Sequence, residues 1–232
     1  PAHIAIFKKS IQDTLKTKSP INFIINIENP NKKQKWLEVS MFAIDDNQVQ
    51  GIFNDITSHK IATLQAIKIA ERDPLTGLLN RRGFEPKLEM LMQHQVTLPS
   101  IAVLVIDLDS FKQVNDEFGH DAGDFVLKEV SQLLIDCVRK DDLIARLGGD
   151  EFAIILNSIE LPERACRIAK KVVNAVSKPI IFNNQTLQIG ASVGIAVASQ
   201  QSNTPLLIIK HADEAMYMAK QAGKSRYHLY NS

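Results

Sequence analysis

The sequence predicts a mixed α/β (α+β) fold in which a ferredoxin-like domain, with the order β-α-β-β-α-β, follows a smaller antiparallel sheet. Three observations support this prediction. Residues 73–232 alternate between short apolar runs and stretches with helical spacing of apolar residues. Residues 21–57 contain three runs rich in β-branched and aromatic residues. The composition, with 45% hydrophobic and 23% charged residues over 232 positions, is that of a globular protein.

Charge and cysteine content narrow the class of protein. The 27 basic and 26 acidic residues give a net charge of +1, which disfavours a protein that coats nucleic acid. Cys137 and Cys166 lie in helical patterns, so we expect reduced thiols and a cytoplasmic location. The longest apolar run, Ile101–Ile106, is too short to cross a bilayer, and no signal peptide or membrane contact is expected. Because the sequence begins with Pro1, we expect a fragment whose longer parent could carry an upstream anchor.

The N-terminal part predicts one helix, three strands and a second helix. Apolar residues recur at helical spacing over Ile4–Leu15, and strands are expected at Ile21–Glu28, Lys35–Ile44 and Val49–Thr57. One helix buries a three-stranded sheet poorly, so we interpret this segment as part of a larger domain. Ser58–Arg72 predicts either a linker helix that pairs with its twin in a dimer or a solvated connector.

Residues 73–232 supply the elements of the ferredoxin-like domain. A helix is expected after Asp73-Pro74 towards Met92, and the apolar run Ile101–Asp107 predicts a strand buried on both faces. The remaining predicted elements are a helix at Asp121–Val138, a hairpin of Leu143–Leu147 and Phe152–Leu156 with Gly148-Gly149 in its turn, a helix opening at Pro162, a strand at Leu187–Val197 and a helix at Pro205–Gly223.

This topology brings acidic residues together at one edge of the sheet. The first strand of the fold lies antiparallel beside the third, so Asp107 is expected to meet Asp150 and Glu151 at the hairpin turn. Carboxylates this close repel one another unless a cation lies between them, and Mg²⁺ typically binds one or two carboxylates together with substrate phosphates. An acidic hairpin tip that faces solvent is the alternative interpretation.

Three lysines near this edge are candidates for phosphate binding. Lys112 follows Asp107 where a loop is expected, and Lys220 and Lys224 lie at i and i+4 on one face near the end of the last helix. Each lysine alone is more typical of a solvated surface charge. Gly223-Lys224-Ser225 is no P-loop, because Met218 stands where that motif needs glycine and the helix precedes it.

Four segments, in a fixed order, resemble the GGDEF family, the diguanylate cyclases. They are Asp73–Arg82, Asp107–Asp124, the signature Arg146–Phe152 (RLGGDEF) and Ala215–Tyr227. The resemblance covers Asp73 to about Tyr227 and implies the nucleotidyl-cyclase, palm-type version of the ferredoxin-like fold. It also implies that Asp107, the backbone carbonyl of Leu108 and Asp150 bind Mg²⁺, with Mn²⁺ as an alternative metal. Asp150, with Glu151 beside it, would assist deprotonation of the ribose 3′-hydroxyl.

The resemblance further implies the substrate contacts. Asn115 and Asp124 would read guanine, because a carboxylate accepts from both N1–H and N2–H, which adenine does not offer. Lys112, Lys220 and Lys224 would hold phosphates. The family usually has arginine at the position of Lys224, so we expect weaker nucleotide binding but not loss of activity, since lysine keeps the charge and loses the bidentate fork.

The activity implied is condensation of two GTP molecules into cyclic di-GMP with release of two pyrophosphates. Each domain holds one GTP, so a homodimer is required. The main alternative is a catalytically silent GGDEF domain that acts as a receptor for GTP or cyclic di-GMP, but the intact Gly148–Phe152 signature favours an enzyme. A polymerase-like enzyme acting on nucleic acid is disfavoured by the near-neutral charge.

Arg139 and Asp142 match the family's RxxD product-inhibition site in residue type and in offset from Gly148. Arg139 would contact a phosphate or guanine edge of cyclic di-GMP, and Asp142 would accept from guanine. A bound product dimer would tie two domains together with their GTP sites apart. A charged turn between helix and strand is the alternative interpretation.

Two N-terminal segments, Trp36–Val39 and Gly51–Thr57, resemble the last strands of a PAS sensor domain. Only the C-terminal half of such a domain is expected, so no sensory ligand is predicted. A small dimerisation or packing module is the alternative. The expected organisation is therefore a partial PAS-like domain at 1–58, a linker helix at 59–72 and a GGDEF domain at 73–232.

Overall fold

The computed structural model describes residues 2–28, 33–93, 101–157, 162–199 and 202–231. The chain divides into two compact units, Pro1–Ile69 and Ala70–Ser232. Within the described ranges, none of the helices combines the length and the apolar character that a bilayer span requires.

The first unit contains a three-stranded antiparallel sheet. Its elements, in chain order, are α1 (Ala2–Thr17), β1 (Ile21–Glu28), β2 (Gln34–Ala43), β3 (Val49–Asp55) and α2 (Thr57–Ala70), the last of which ends at the boundary between the units. Strand β2 lies between β1 and β3 and pairs antiparallel with both. The small core of Ile25, Val39 and Met41 packs against Phe7 of α1. The predicted helix and three strands are confirmed.

The second unit is the ferredoxin-like domain. Its elements are α3 (Arg81–Gln93), β4 (Ile101–Asp109), α4 (Phe111–Phe118), α5 (His120–Cys137), β5 (Leu143–Gly148), β6 (Glu151–Asn157), α6 (Pro162–Val176), β7 (Ile180–Phe182), β8 (Gln185–Leu187), β9 (Gly190–Val197), α7 (Pro205–Gln221) and β10 (Tyr227–Leu229). The main sheet has the order β10-β9-β4-β6-β5. Four of its strands, β9-β4-β6-β5, reproduce the predicted arrangement, and β10 adds a parallel edge strand.

Strand β4 is buried because helices cover both faces of this sheet. Leu104 and Ile106 belong to the core cluster that includes residues of α5 and α6, such as Val130 and Val172. The alternating residues Val103 and Val105 belong to the cluster on the other face, with residues of α3 and α7. Burial on both faces removes the alternation of polar and apolar residues, and this explains the continuous apolar run.

Two predicted elements differ from the structure. The helix expected from Asp73 begins only at Arg81, because the Asp73 carboxylate accepts hydrogen bonds from the Thr76 amide and hydroxyl and Gly77 adopts a φ of 72°. These contacts form a turn instead of a helix. The strand expected at Leu187–Val197 is split, because Leu187 ends the β7–β8 hairpin and β9 begins at Gly190. Left-handed Asn residues at 183 and 184 form that hairpin turn.

Candidate functional site

The candidate site lies at the C-terminal end of β4, beside the β5–β6 hairpin. Asp107 pairs in register with Glu151, and the amide of Leu108 donates to the carbonyl of Asp150 at 3.2 Å. Gly149, with a φ of 53°, occupies the left-handed region in the turn that precedes Asp150. The expected meeting of the strand end with the hairpin turn is confirmed.

One cavity of about 580 Å³ collects six of the predicted site residues. They are Asp107, Leu108, Lys112, Asp150, Lys220 and Lys224. Three of these bring the positive charge of lysine, and two bring the negative charge of a carboxylate. The cavity therefore places carboxylate oxygens and lysine ammonium groups side by side.

Asp107 lies half-buried among charged side chains in this cavity. Burial raises the pKa of its carboxyl, and the neighbouring carboxylates of Asp150 and Asp109 raise it further, whereas Lys220 opposes the shift. The ammonium Nζ of Lys220 lies 2.7 Å from Asp107 Oδ2. Positive charge is therefore favourable at this carboxylate, and the structure already supplies one such charge from α7.

The residues present fit a hard divalent cation. Asp107 and Asp150 provide two carboxylates, and Leu108, whose amide donates to the carbonyl of Asp150, lies in the wall of the same cavity. In the part of the chain that the structure describes, no group of three or more His, Cys, Asp or Glu side chains is placed to hold a metal ion. Two carboxylates with a backbone carbonyl suit Mg²⁺, which leaves further positions to water and substrate phosphates.

The three lysines reach the cavity from two helices and a turn. Lys112 lies in the first turn of α4, so the expectation that it lies in a loop is wrong. Lys220 lies in the last turn of α7. Lys224 lies beyond the end of α7 with a φ of 61°, so the expectation that both lysines share one helix face is also wrong. The helix ends because Gly223 takes a φ of 111° and the Lys224 amide bonds back to the carbonyl of Ala219.

The two residues predicted to bind guanine do not line that cavity, but they lie close to each other in the structure. Asn115 is half-buried on α4, and Asp124 is exposed on α5. A Cβ atom at Gly123 would overlap the amide oxygen Oδ1 of Asn115, so the Asn115 side chain lies against the backbone next to Asp124. The corner between α4 and α5 therefore presents an amide and a carboxylate together.

Glu151 differs from its neighbour Asp150 in its position relative to the cavity. It is absent from the cavity lining, and its carboxylate lies 3.8 Å from the guanidinium of Arg81 on α3. Both side chains of that pair are about half exposed. Of the two acidic residues in the hairpin, the structure brings only Asp150 into the cavity.

Two residues for which no site role was expected, Arg146 and Asp109, also shape the site; Asp109 shares strand parity with Asp107, but the family resemblance does not place it among the metal ligands. Arg146 donates through Nε and Nη2 to the carbonyl of Gly149, at 3.0 and 2.8 Å, and through Nη1 to Asp73. Asp109 is 5% exposed and accepts hydrogen bonds from Ser192 and Ser225. Both residues lie within the segments quoted for the family resemblance. Asp73, Ser192 and Ser225 lie far away from them in sequence, so spacing alone gives no signal of those contacts.

Arg139 and Asp142 lie at a second cavity of about 510 Å³. The side chain of Asp142 is 1% exposed, and its carboxylate accepts from the amides of Arg139 and Asn157 and from the guanidinium of Arg164. The expectation that Asp142 accepts from guanine does not fit this arrangement, because protein donors already surround the carboxylate. Arg139 is the exposed member of the pair.

Comparisons with known proteins bear on residues 70–226, which match the profile of the family described as "Diguanylate cyclase, GGDEF domain". The bifunctional diguanylate cyclase/cyclic di-GMP phosphodiesterase MucR of Pseudomonas aeruginosa is 39% identical over 177 residues, covering 76% of this chain and 26% of MucR. The response regulator PleD of Caulobacter vibrioides is 37% identical over 165 residues, covering 69% of this chain and 36% of PleD. The chain thus spans well under half the length of these relatives.

Solved structures show the same likeness. The GGDEF domain of TpbB (YfiN) from Pseudomonas aeruginosa is 36% identical with a TM-score of 0.65, covering 69% of this chain and 94% of that one. The coiled coil and GGDEF domain of DgcB from Caulobacter crescentus, in complex with c-di-GMP, is 25% identical with a TM-score of 0.68. That match covers 75% of this chain and 93% of the DgcB chain.

Proposed function

Since this chain belongs to the GGDEF family of diguanylate cyclases across residues 70–226, we propose that it condenses two GTP molecules into cyclic di-GMP and releases two pyrophosphates. The observation that supports this proposal most is the cavity at the end of β4, where Asp107 and Asp150 lie together with three lysines. The 3′-hydroxyl of each GTP attacks the α-phosphate of the other. Each domain therefore needs a metal site, a triphosphate site and a base site.

Asp107, Asp150 and the carbonyl of Leu108 form the proposed site for Mg²⁺, with Mn²⁺ as the alternative. These residues would hold a divalent cation, whose charge would neutralise that of the α-phosphate and lower the pKa of the 3′-hydroxyl. Asp150 is the proposed acceptor for the proton of that hydroxyl, because it lines the cavity. Glu151, whose carboxylate lies near Arg81, is proposed to support Asp150 from the adjacent position.

The lysines are proposed to hold the triphosphate. Lys220 contacts Asp107 directly, so its charge lies at the carboxylate end of the cavity. Lys112 and Lys224 approach from α4 and from the turn after α7. Lysine provides a compact charge without the planar fork of arginine, so Lys224 contributes attraction rather than bidentate recognition.

Asn115 and Asp124 are proposed to select guanine. The Asp124 carboxylate is exposed and can accept from N1–H and N2–H of guanine together. Adenine presents no donor at N1, so a site built around this carboxylate leaves adenine unpaired.

A homodimer is proposed because one domain holds one GTP. Helix α2 contains no buried residue, and Ile61, Leu64 and Ile67 are 47–50% exposed at a spacing of three residues. An apolar stripe of this kind is typical of a helix that pairs with its twin. We propose that α2 makes this contact and brings two catalytic domains within reach of each other.

Product inhibition is proposed at the second cavity. Its wall carries four cationic side chains, those of Arg72, Lys87, Arg139 and Lys140, which suit the phosphates of cyclic di-GMP. Asp142 is proposed to hold the turn that presents Arg139, since it accepts from the Arg139 amide at 3.0 Å. Bound product inhibits if it prefers an arrangement in which the two GTP sites are apart.

The N-terminal unit is proposed to be the C-terminal half of a PAS-like sensor domain at 1–58, joined by a linker at 59–72 to the catalytic domain at 73–232. The three antiparallel strands and their small core are compatible with that assignment. A packing module remains the alternative. A cytoplasmic location is proposed because GTP is the substrate and both cysteines, Cys137 and Cys166, are free thiols.

The second candidate function is a silent receptor for GTP or cyclic di-GMP, favoured by the cationic second cavity. The test is to incubate the purified chain with GTP and Mg²⁺ and to identify products by mass. An active enzyme yields cyclic di-GMP and pyrophosphate. A chain that binds cyclic di-GMP in calorimetry but yields no product contradicts the first proposal and supports the second.

A further inference from the structure

The turn after α7 has an unusual backbone. Gly223, Lys224 and Ser225 have φ values of 111°, 61° and 47°. Two of these residues are not glycine, and left-handed conformations are sterically disfavoured for residues that carry a Cβ atom. Such conformations persist only where surrounding contacts hold them. This turn carries Lys224 to the wall of the proposed substrate cavity.

Asp109 supplies contacts that hold the turn. Its Oδ2 accepts the Ser225 amide at 2.9 Å and lies 3.4 Å from the Ser225 hydroxyl, and its Oδ1 accepts the Ser192 hydroxyl at 2.8 Å. The residue is 5% exposed. A buried carboxylate is costly unless donors satisfy it, so these hydrogen bonds bind the turn firmly to β4 and β9.

Gly190 gives independent support for this anchoring of the turn, because the missing side chain leaves space for Ser225 beside the sheet. Gly190 pairs in register with Asp109 on the neighbouring strand β9. A Cβ atom at this position would overlap the hydroxyl of Ser225 and would lie 3.1 Å from Asp109 Oδ2. Only a residue without a side chain lets Ser225 approach the strand so closely.

We propose that Asp109 is a positioning residue that holds Lys224 against the triphosphate of the substrate. Its hydrogen bond fixes the amide that follows Lys224, while the Lys224 amide is fixed by the carbonyl of Ala219 at 3.2 Å. A lysine charge sits at the end of a flexible stem, so its placement depends on where the backbone anchors it. The inference rests on the proposed function of the cavity.

The test compares Asp109→Ala with wild type. Binding of guanosine 5′-[α,β-methylene]triphosphate is measured by calorimetry, and KM and kcat are measured with GTP. We expect Kd and KM to rise about tenfold, the loss of one contact to a charged group, while kcat changes little. In the Asp109→Ala background, Lys224→Ala is expected to cause little further loss, because both changes remove the same contact.

Matched variants separate positioning from general destabilisation. Ser192→Ala removes a hydrogen bond from Asp109 but leaves both Ser225 contacts, so it should lower Tm without changing the nucleotide Kd. Asp109→Asn keeps an acceptor for the Ser225 amide and should restore most of the affinity. If Asp109→Ala does not fold, Gly190→Ala displaces Ser225 with Asp109 intact and should raise Kd in the same way.

The outcomes distinguish this inference from the proposed function. A wild-type chain that neither binds the analogue nor forms cyclic di-GMP overturns both. A wild-type chain that does both, with Asp109→Ala or Gly190→Ala binding the analogue equally well, overturns only the role of Asp109. Losses in Asp109→Ala and Lys224→Ala that multiply in the double variant also overturn it.

Discussion

Arg146 and Asp73, which lie 73 positions apart in the chain, form an ion pair in which Nη1 lies 3.2 Å from each carboxylate oxygen. Only 14% of the Arg146 side chain and 17% of the Asp73 side chain are exposed. The same guanidinium donates twice to the carbonyl of Gly149. One side chain therefore ties the segment that enters the catalytic domain to the turn that carries Asp150.

The stability that this ion pair contributes to the fold should decrease at acidic pH. Although burial raises the pKa of Asp73, hydrogen bonds from Thr76 and the charge of Arg146 lower it on balance below its ordinary 3.8. A carboxyl with a lowered folded pKa stabilises the fold above its unfolded pKa and loses that contribution as pH falls through the folded value. We expect the difference in unfolding free energy between wild type and Asp73→Asn to stay constant from about pH 7 to 5 and to shrink below about pH 4.

Urea unfolding of the two proteins across that range is the measurement. Arg81→Ala serves as the control, because the Arg81–Glu151 pair is about half exposed with 3.8 Å between its charged atoms. Such a pair is worth little, about 0–1 kcal/mol, so this variant should unfold like wild type. A difference between wild type and Asp73→Asn that grows as the solution is acidified contradicts the assignment.

Removing either proposed metal ligand should abolish turnover without unfolding the protein. Asp107→Asn and Asp150→Asn each delete one ligand charge, and each also relieves the repulsion between the two carboxylates. Thermal melting should therefore show folded proteins, while mass analysis should show no cyclic di-GMP. Asp116→Asn is the control, because Asp116 is exposed and lines the same cavity without a proposed ligand role. Retained synthesis in either ligand variant is incompatible with the proposed metal site.

Asp124→Ala should weaken the choice of guanine over adenine. Loss of the carboxylate leaves N1–H and N2–H of guanine unpaired, so kcat/KM for GTP should fall at least about tenfold while the much lower value for ATP stays the same. Steady-state kinetics with each nucleotide give the ratio. Asp121→Ala removes an acidic residue that is also exposed on α5, and it should keep the wild-type ratio. An unchanged ratio in Asp124→Ala would locate the base site elsewhere.

Arg139→Ala should relieve product inhibition and keep the initial rate. Arg139 is exposed at the second cavity and does not line the first, so its loss should remove only the proposed contact to cyclic di-GMP. Progress curves at saturating GTP, with and without added cyclic di-GMP, measure the effect. If both proteins slow equally, Arg139 is only part of a charged turn.

Periodic and topological features of this chain were predictable from the sequence. The apolar run Ile101–Ile106 correctly predicted the central strand, because burial on both faces leaves a direct pattern in the residues. The proximity of Asp107 to Glu151 followed from strand order alone. That strand order is the one expected for a ferredoxin-like fold, which the succession of helices and strands along the chain indicates.

The contacts that hold turns were not predictable in this way. The late start of α3 depends on hydrogen bonds to Asp73, and the position of Lys224 depends on a left-handed turn held by Asp109. The expected contact of Asp142 with guanine does not fit the structure, because Arg164 of α6 pairs with this carboxylate in the turn before β5. In each case one specific hydrogen-bond partner decides the structure against the local helical or charge pattern. Such a partner either lies far away in sequence or leaves the spacing of apolar residues unchanged, so the sequence pattern does not reveal it.

The hydrogen bond between Ser225 and Asp109 spans 116 positions, and this separation sets the order in which the site can be assembled. Strand β4 leaves the ribosome long before α7 and the following turn exist, so the carboxylates are translated well ahead of the C-terminal lysines. Long-range closures of this kind form late in folding because chain entropy opposes them. A nascent chain therefore gains the complete proposed nucleotide cavity only when nearly all of the domain has been synthesised, and a chain truncated before Lys220 lacks both Lys220 and Lys224.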